Sequence, residues 1–359
     1  GMSFGSGCLL DDLVHFVYQG RNDRLLLIGD KAQLPPVGEE ESPALHAAML
    51  EGYGLKVYEC DLNEVLRQSE ESGILYNATM IRQMITHDDI TQLPKIHFAG
   101  YSDIKPMPGA ELIEALADSY HHVGLDDTIV VTRSNKRANI FNQGIRNMVL
   151  DREEELSQGD ILMIVKNNYY WMEEERKKIK EIEERRVKSE GTEPGTATHK
   201  VQSSKFQVQS NDIPAFLANG DRAKVLKVRR RIDLYGFRFA TLLLQFPDYD
   251  NYELEATVLL DTLTSEAPAL THEQQEQLFY QIEEDYQDIP LKADRMKAIR
   301  QDQFFNALQV KFAYAVTCHK AQGGQWAHVY VDQGYMTDDM LNPDYIHWLY
   351  TAFTRATEM

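Results

Sequence analysis

The arrangement of the strand-like segments is the feature that most constrains the fold of this chain. "RLLLIGD" and "DTIVVT" are continuous apolar runs, and each lies next to a segment with apolar residues at helical spacing, such as "LLDDLVHFV". Buried strands that alternate with helices are typical of a parallel sheet covered by helices on both faces. The sequence therefore predicts a doubly wound α/β architecture.

A different pattern occupies the middle of the chain. Short segments of alternating residues run from Gly159 to Leu260, separated by Gly, Asn and Asp turns. This pattern predicts a small antiparallel β barrel inserted into the second α/β domain. Within it, a charged stretch at about 172–212 has no apolar face, so we expect a solvated, partly disordered insertion. A helical segment at about 271–304 follows before the α/β pattern resumes.

Composition limits the class of protein. A chain of 359 residues is long enough for two or more domains. Its three cysteines are scattered, which argues against a disulfide framework and against a zinc cluster. There is neither a signal segment nor an apolar run near the roughly 18 residues that span a bilayer, so we expect a cytoplasmic protein with no membrane partner.

The net charge of −19 argues against a polyanionic partner, but the charge is unevenly distributed. The segment "RAKVLKVRRRIDLYGFR", which contains Arg229, is locally basic. It could form a nucleic-acid track in which Tyr235 and Phe237 offer stacking surfaces. It could equally be the solvated face of a β ribbon, and both interpretations remain open.

Two polar loops follow predicted strands. In "GDKAQLPPVG", Asp30 and Gln33 follow a strand's carboxyl end, where open α/β sheets bind ligands. The Gln33 amide could hydrogen-bond a γ-phosphate, and two prolines would stiffen the loop, although a simple proline-terminated turn explains the same residues. In "YAVTCHKAQGGQW", paired glycines allow close backbone approach to phosphates, whereas the alternative makes Thr317 a strand residue and His319 a cap.

Five segments, in order, carry a resemblance to a known family. "GDKAQLPPVG", "LNEVLRQ", "VVTRSNKRAN", "YAVTCHKAQGGQW" and "YTAFTRA" resemble motifs III, IV, IVa, V and VI of superfamily 1 DNA helicases, most closely the RecD-like type of the exodeoxyribonuclease V alpha subunit. The resemblance covers nearly the whole chain except the charged insertion. It implies P-loop-NTPase, RecA-like doubly wound parallel sheets, the first one truncated, with an inserted SH3-like β barrel. The implied domains are 2–105 for the first RecA-like domain, 106–158 with 305–359 for the second, and 159–304 for the barrel.

The resemblance also implies roles for individual residues. Arg67 and Arg355 would be the arginines that stabilise charge on the transferred γ-phosphate, while Asp30 and Gln33 would couple that site to DNA. Without the resemblance, a lone arginine is usually part of a surface ion pair. The nucleotide would contact Gln325, at a position where many relatives carry Glu, and Arg133. The residues assigned to single-stranded DNA are Thr317, His319, Pro35, Asn135 and Arg229.

Two motifs of such helicases are absent from the sequence. It contains no G-x-x-x-x-G-K-[ST] and no Asp-Glu pair, the elements that hold the phosphates and Mg²⁺. We therefore expect a chain that begins just after motif II, a fragment of an ATP-dependent DNA helicase that moves 5′ to 3′ on single-stranded DNA. ATP and Mg²⁺ would bind to the parent protein, and the fragment alone would bind neither and would not hydrolyse ATP. Nuclease or other recombination and DNA-repair subunits are possible partners.

Two other hypotheses remain open. The chain could be a natural ATPase-dead subunit that binds nucleic acid or acts as a scaffold, which an upstream reading frame encoding a P-loop would contradict. It could also be an unrelated α/β protein whose motifs are coincidental. That hypothesis predicts no small β domain between Gly159 and Leu260.

Overall fold

The structure is a computed structural model that describes residues 8–62, 71–88, 90–190 and 213–359. It divides into two compact units. One contains the residues up to Pro108 together with Gln322–Met359, and the other is Gly109–Ala321. Each unit is described separately below.

The described residues contain the following α-helices and β-strands. The helices are α1 (Leu9–Val17), α2 (Ala47–Glu51), α3 (Gly73–Thr86), α4 (Leu112–His122), α5 (Asn135–Gly144), α6 (Tyr170–Glu190), α7 (His272–Asp285), α8 (Lys292–Arg300), α9 (Cys318–Ala321) and α10 (Pro343–Phe353). The strands are β1 (Thr128–Thr132), β2 (Ile161–Ile164), β3 (Arg222–Leu234), β4 (Phe237–Phe246), β5 (Tyr252–Leu259), β6 (Leu308–Phe312), β7 (Ala315–Thr317) and β8 (His328–Val331).

The core of the first unit lies between α3 and α10, which pack against each other. Ser72 begins α3 by accepting a hydrogen bond from the Leu75 amide, as the sequence predicts for a Ser before an apolar helix. Ile81 of α3 and Ile346 of α10 are fully buried. Asn77 is also buried, and its side chain donates to the Gly73 and His97 carbonyls, so the polar group is satisfied.

Two strands that the sequence predicts in the first unit, at "RLLLIGD" and at the start of "GLKVYECDLNEVLRQ", are not formed. The segments at 24–30 and 55–62 have no strand pairing. Leu26 and Ile28 are 81% and 83% exposed, and Tyr58 and Leu62 are similarly exposed. A buried strand needs a hydrogen-bonded neighbour, and the described residues of this unit supply none to these segments. The prediction of strands at these two segments was therefore wrong.

The second unit contains a parallel strand pair and a barrel. β1 and β7 pair in parallel, with Thr132 opposite Thr317, and β1 is buried throughout. Helix α5 packs against both strands and begins at Ser134, whose hydroxyl accepts from the Arg137 amide. A strand followed by a helix was the predicted arrangement for this segment, and it is confirmed.

Strands β2 to β6 form a closed five-stranded barrel. This confirms the predicted small β domain and contradicts a coincidental set of motifs. The pairs β2–β3, β3–β4, β4–β5 and β2–β6 are antiparallel, but β5 and β6 are parallel. The strands of the predicted segment, β2 to β5, pair antiparallel as expected, whereas β6, which closes the barrel in parallel with β5, lies outside that segment. Helices α7 and α8 lie between β5 and β6 in the chain, and this long crossover lets β6 enter in the same direction as β5.

A buried polar network lies at the start of β2. Asp160 is fully buried and accepts hydrogen bonds from Arg146 Nε and Nη2 at 3.1 Å each, and from Arg152 Nη1 at 2.8 Å. The Tyr314 hydroxyl and the Ser157 amide donate to the same carboxylate at 2.7 Å each. Burial, followed by the Asp160 charge, raises the pKa of Tyr314. One carboxylate thus joins the π-helical turn that follows α5 (Ile145–Val149), the barrel and the chain between β6 and β7.

The helices α7 and α8 cover one end of the barrel. Phe237 and Phe239 of β4 pack in an apolar cluster with Leu278, Ile282 and Ile299 of the two helices. Phe237 is only 5% exposed, so the interpretation of Phe237 as a stacking surface was wrong: the helices cover its ring.

The predicted charged insertion lies partly in α6. Its first turn is not solvated, because Trp171 and Met172 are buried. Trp171 Nε1 also donates to the Asn306 carbonyl at 2.9 Å. The prediction of a solvated stretch from about residue 172 was therefore wrong at its beginning. The predicted stretch from 191 to 212 lies outside the described residues.

Candidate functional site

The loop after Gly29 is organised by its first residue. Asp30 Oδ1 accepts from the Ala32 amide at 3.0 Å, and the Asp30 carbonyl accepts from the Gln33 amide at 3.1 Å. Such an Asp-initiated turn fixes the backbone that leads into Pro35. Gln33 and Pro35 are both half-buried. The local turn chemistry expected from the sequence is present, and it positions the loop for contacts beyond the turn.

One face of α10 holds this loop through three side chains. His347 Nδ1 donates to the Ala32 carbonyl at 2.9 Å, and the Leu34 amide donates to Thr351 Oγ1 at 2.9 Å. The Tyr350 hydroxyl donates to Asp30 Oδ2 at 2.8 Å. Residues three and four apart lie on the same face of a helix, so a single turn of α10 contacts the whole loop.

Arg82 of α3 completes the network around Asp30. Its Nη1 lies 3.4 Å from both carboxylate oxygens of Asp30 and 3.2 Å from the Tyr350 hydroxyl. Burial raises the pKa of Tyr350, and its hydrogen bond to Asp30 adds to this effect. Burial lowers the pKa of Arg82, but Asp30 and Tyr350 outweigh that effect and raise it overall. The network therefore favours the protonated form of the Tyr350 hydroxyl.

The chain after α9 approaches the same loop. Gln322 Nε2 donates to the Leu34 carbonyl at 2.9 Å. Parts of the segments quoted as motifs III, V and VI therefore lie together in the first unit. Sequence reasoning named Asp30 and Gln33 but missed Arg82, His347, Tyr350 and Thr351. The only local signal for Arg82 was a charged residue within the apolar segment "MIRQMI".

Arg355 and Gln325 are brought together at the end of α10. Arg355 is 6% exposed, and its guanidinium donates to the carbonyls of Thr351 and Gly324 at 3.0 Å each. The Trp326 amide donates to the Arg355 carbonyl at 3.0 Å, and Gln325 is exposed beside it. A Cβ at Gly324 would lie 2.4 Å from the Trp326 ring, so this position requires glycine. The paired glycines permit a close backbone approach, here to an indole and a guanidinium.

In the second unit, several predicted residues share one sheet edge. Because β1 and β7 are parallel and Thr132 is opposite Thr317, the residues that follow both strands meet at their carboxyl ends. Arg133 and Asn135 follow β1, while Thr317 ends β7 and His319 follows it. Arg133 and His319 are exposed, and Asn135 and Thr317 are half-buried. This edge is where open α/β sheets bind ligands.

The residue between Thr317 and His319 takes no part in that edge. Cys318 begins the short helix α9 and is fully buried. The interpretation of this segment as a plain strand makes Cys318 a strand residue, and the structure contradicts that part of it. The helical turn instead directs the thiol into the core, while His319 is exposed.

The basic β ribbon is largely paired with carboxylates. Arg229 forms an ion pair with Glu255 on the neighbouring part of the sheet. Arg231 Nη2 lies 3.4 Å from Glu154 Oε2, and Arg238 pairs with Glu155. The Tyr235 hydroxyl donates to Asp285. These contacts favour the solvated β ribbon over a continuous phosphate track, and a phosphate would have to displace a carboxylate at Arg229.

Arg67 and most of "LNEVLRQ" lie outside the described residues, so the structure does not place this predicted arginine. Within the described residues, no group of three or more His, Cys, Asp or Glu side chains could hold a metal ion. None of the described helices has both the length and the apolar composition needed to cross a bilayer.

Part of the sequence matches a known protein family. No curated protein matches the sequence. Residues 312–359 match the UvrD-like helicase C-terminal domain family. The matched range contains Thr317, His319, Gln325 and Arg355, and it includes the α10 face that holds the Asp30 loop. The match supports a superfamily 1 helicase, and hence an enzyme family that interacts with nucleic acid.

Proposed function

We propose that this chain is part of a RecD-like, ATP-dependent DNA helicase that translocates 5′ to 3′ on single-stranded DNA. The observation that carries the proposal is the connection from the Asp30 loop through one turn of α10 to Arg355. His347, Tyr350 and Thr351 bind the loop, and Arg355 donates to the Thr351 carbonyl. A change at the guanidinium would reach the loop through contiguous hydrogen bonds.

Within this proposal, each predicted residue has a role. Arg355 and Arg67 face the γ-phosphate, Gln33 and Asp30 respond to it, and Gln325 and Arg133 contact the nucleotide. A guanidinium suits this role because it remains charged and stabilises the charge that develops on the phosphoryl oxygens. Single-stranded DNA binds along Pro35, Asn135, Thr317 and His319, and Arg229 joins this path by exchanging Glu255 for a phosphate.

ATP and Mg²⁺ belong to the longer parent protein in this proposal. Arg355 and Gln325 suit a nucleotide, since one is cationic and the other is an exposed amide. The described residues hold no carboxylate cluster for Mg²⁺, so the P-loop and acidic strand of the parent would supply that part. Bound Mg²⁺ would neutralise phosphate charge. By itself, this chain is not expected to hydrolyse ATP.

The exposed segments of the first unit support a longer parent. Leu26 and Ile28 alternate along an extended segment and are almost fully exposed. In α/β domains, such residues are buried by neighbouring strands and covering helices. Further strands from the parent would bury these side chains and place Asp30 at the carboxyl edge of a complete sheet.

The test uses the longer protein expressed from the reading frame that includes the sequence upstream of this chain. We expect DNA-stimulated ATP hydrolysis, and Arg355→Ala should reduce it by about 10³-fold or more. Arg300→Ala is the matched control, because Arg300 is an exposed arginine at the end of α8. ATP hydrolysis that survives Arg355→Ala would remove the proposed role of this residue.

A second candidate is an ATPase-dead subunit that binds nucleic acid or acts as a scaffold. The burial of Arg355 among backbone carbonyls favours it, because the guanidinium would have to exchange these contacts for a phosphate. A complete reading frame without a P-loop, together with DNA binding but no ATP hydrolysis, would support this candidate over the first.

A further inference from the structure

A stacked aromatic pair lies where the chain leaves the barrel for α6. The rings of Tyr169 and Phe216 have centroids 4.7 Å apart and an interplanar angle of 25°. Tyr169 is 54% exposed, whereas Phe216 is half-buried. Phe216 therefore supports one ring, and that ring remains accessible to solvent.

The backbone on both sides of this pair is fixed. Asn168 and Leu217 form an isolated antiparallel bridge with two hydrogen bonds of 2.8 Å. Asn168 Nδ2 also donates to the Asn306 carbonyl at 2.9 Å. Leu217 is fully buried, so the bridge is anchored in the core. The aromatic pair is therefore held in place before any ligand arrives, which lowers the entropy cost of binding.

Arg176 of α6 holds the segment that carries Phe216. Its guanidinium donates to the carbonyls of Ile213, Pro214 and Ala215 at 3.4, 2.7 and 3.3 Å. The guanidinium thus fixes the three residues that precede Phe216. The buried side chains of Trp171 and Met172 anchor α6 in the core. The exposed Tyr169 side chain is therefore not needed for this packing.

Polar contacts link the pair to the sheet edge that carries Thr317 and His319. The Asn219 amide donates to Asn167 Oδ1 at 2.7 Å, and Lys320 Nζ donates to Asn219 Oδ1. Lys320 follows His319 directly, and Asn167 is two residues before Tyr169. The cation and the aromatic ring therefore belong to one continuous surface of the second unit. Burial lowers the pKa of the Lys320 ammonium. A phosphate bound beside it would raise that pKa again, because a nearby negative charge favours the protonated, charged form of lysine.

An exposed aromatic ring and a cation on the same surface are the combination that binds single strands without base selectivity. The ring offers a face to any base, and the cation neutralises a phosphate. We propose that Tyr169, supported by Phe216, is a base-stacking site for single-stranded DNA, with Lys320 contacting the adjacent phosphate. This site rests on the proposed nucleic-acid function and extends the DNA path from Thr317 and His319 onto the barrel.

The test measures binding of fluorescein-labelled oligo(dT) to the intact chain by anisotropy across a salt series. Tyr169→Ala should weaken binding about tenfold without changing the salt dependence, because stacking does not release counterions. Tyr169→Phe should bind like the wild type. Tyr280→Ala, at a tyrosine that is 60% exposed on α7, is the control and should have no effect.

Two additional measurements separate stacking from loss of structure. Tyr169→Leu keeps an apolar side chain against Phe216 but removes the flat ring, so it should bind as weakly as Tyr169→Ala. An oligonucleotide with 2-aminopurine should show quenching with the wild type and less quenching with Tyr169→Leu. Wild-type affinity and quenching in Tyr169→Leu would overturn the stacking site while leaving the proposed function intact. Absence of binding by the wild type at every salt concentration would overturn the stacking site and weigh against the nucleic-acid-binding subunit, whereas ATP hydrolysis by the longer protein would still decide the proposed helicase function.

Discussion

Replacement of the buried carboxylate Asp160 should destabilise the barrel unit strongly. Asp160→Asn keeps the side-chain volume but replaces one acceptor oxygen by an NH₂ group, which at the Oδ1 position would face the donors Arg146 Nε and the Tyr314 hydroxyl. Arg146 would then remain buried without its counter-charge. Removal of one partner from a buried ion pair costs about 3–5 kcal/mol. With about 2–4 °C per kcal/mol for a unit of this size, the melting temperature should fall by about 6–20 °C.

The assay is thermal unfolding followed by circular dichroism, supplemented by urea unfolding to obtain the free energy. Glu253→Gln is the matched control, because Glu253 is an exposed carboxylate on β5 and undergoes the same loss of charge. Its melting temperature should stay within about 1–2 °C of wild type, since surface substitutions change stability by about 0.5 kcal/mol or less. Equal melting temperatures for Asp160→Asn and Glu253→Gln would refute the idea that this carboxylate holds the unit together.

Two further predictions concern Lys311 and Gly324. Burial lowers the pKa of the Lys311 ammonium to about 8, and the charge of Lys320 adds a smaller effect. In the unfolded chain the pKa of this lysine has its ordinary value of about 10.5. Between these two pH values Lys311 is therefore protonated in the unfolded chain but neutral in the folded chain. The difference in unfolding free energy between wild type and Lys311→Met should therefore rise with pH in this window. If urea unfolding shows a difference that does not change with pH, the lowered pKa of Lys311 is contradicted. Gly324→Ala should cost about 1–3 kcal/mol because the new Cβ meets Trp326, whereas Gly144→Ala, with open space around it, should be neutral or stabilising in the same thermal scan.

The elements with strong local signals were predictable from the sequence. Ser72 before an apolar helical pattern marked the beginning of α3, and the run "TIVVT" before "SNKRAN" marked a strand followed by a helix. The barrel strands were readable because alternation and turn residues are properties of neighbouring positions. Such signals do not depend on distant parts of the chain.

The interactions that build the candidate site join distant residues, and local patterns do not encode them. Tyr350 and Asp30 are 320 positions apart, and Arg82 and Tyr350 are 268 positions apart. In the exposed segment around Leu26 the local pattern predicts a strand, but the described residues contain no second strand that pairs with it. A local pattern therefore does not show whether a pairing strand is present. The roles assigned to Arg355, Gln325 and Thr317 depend on the resemblance and stay predictions.

The continuous apolar run "VKFAYAV" contributes to two strands that belong to different sheets. β6 closes the barrel up to Phe312, and β7 begins at Ala315 beside β1. The break occurs at Ala313 and Tyr314, where the tyrosine hydroxyl donates to Asp160. The buried carboxylate gives a physical reason for the break that the apolar pattern could not reveal.

The two-residue connection between β6 and β7 has a mechanical consequence. A barrel attached through so short a covalent connection, with Tyr314 also hydrogen-bonded at its base, cannot rotate freely about the chain. A displacement of the barrel would therefore move β7 and its last residue, Thr317, because only two residues connect β6 to β7. Insertion of a flexible glycine linker between Phe312 and Ala315 would relax this stiffness while leaving the side chains of both sheets in place.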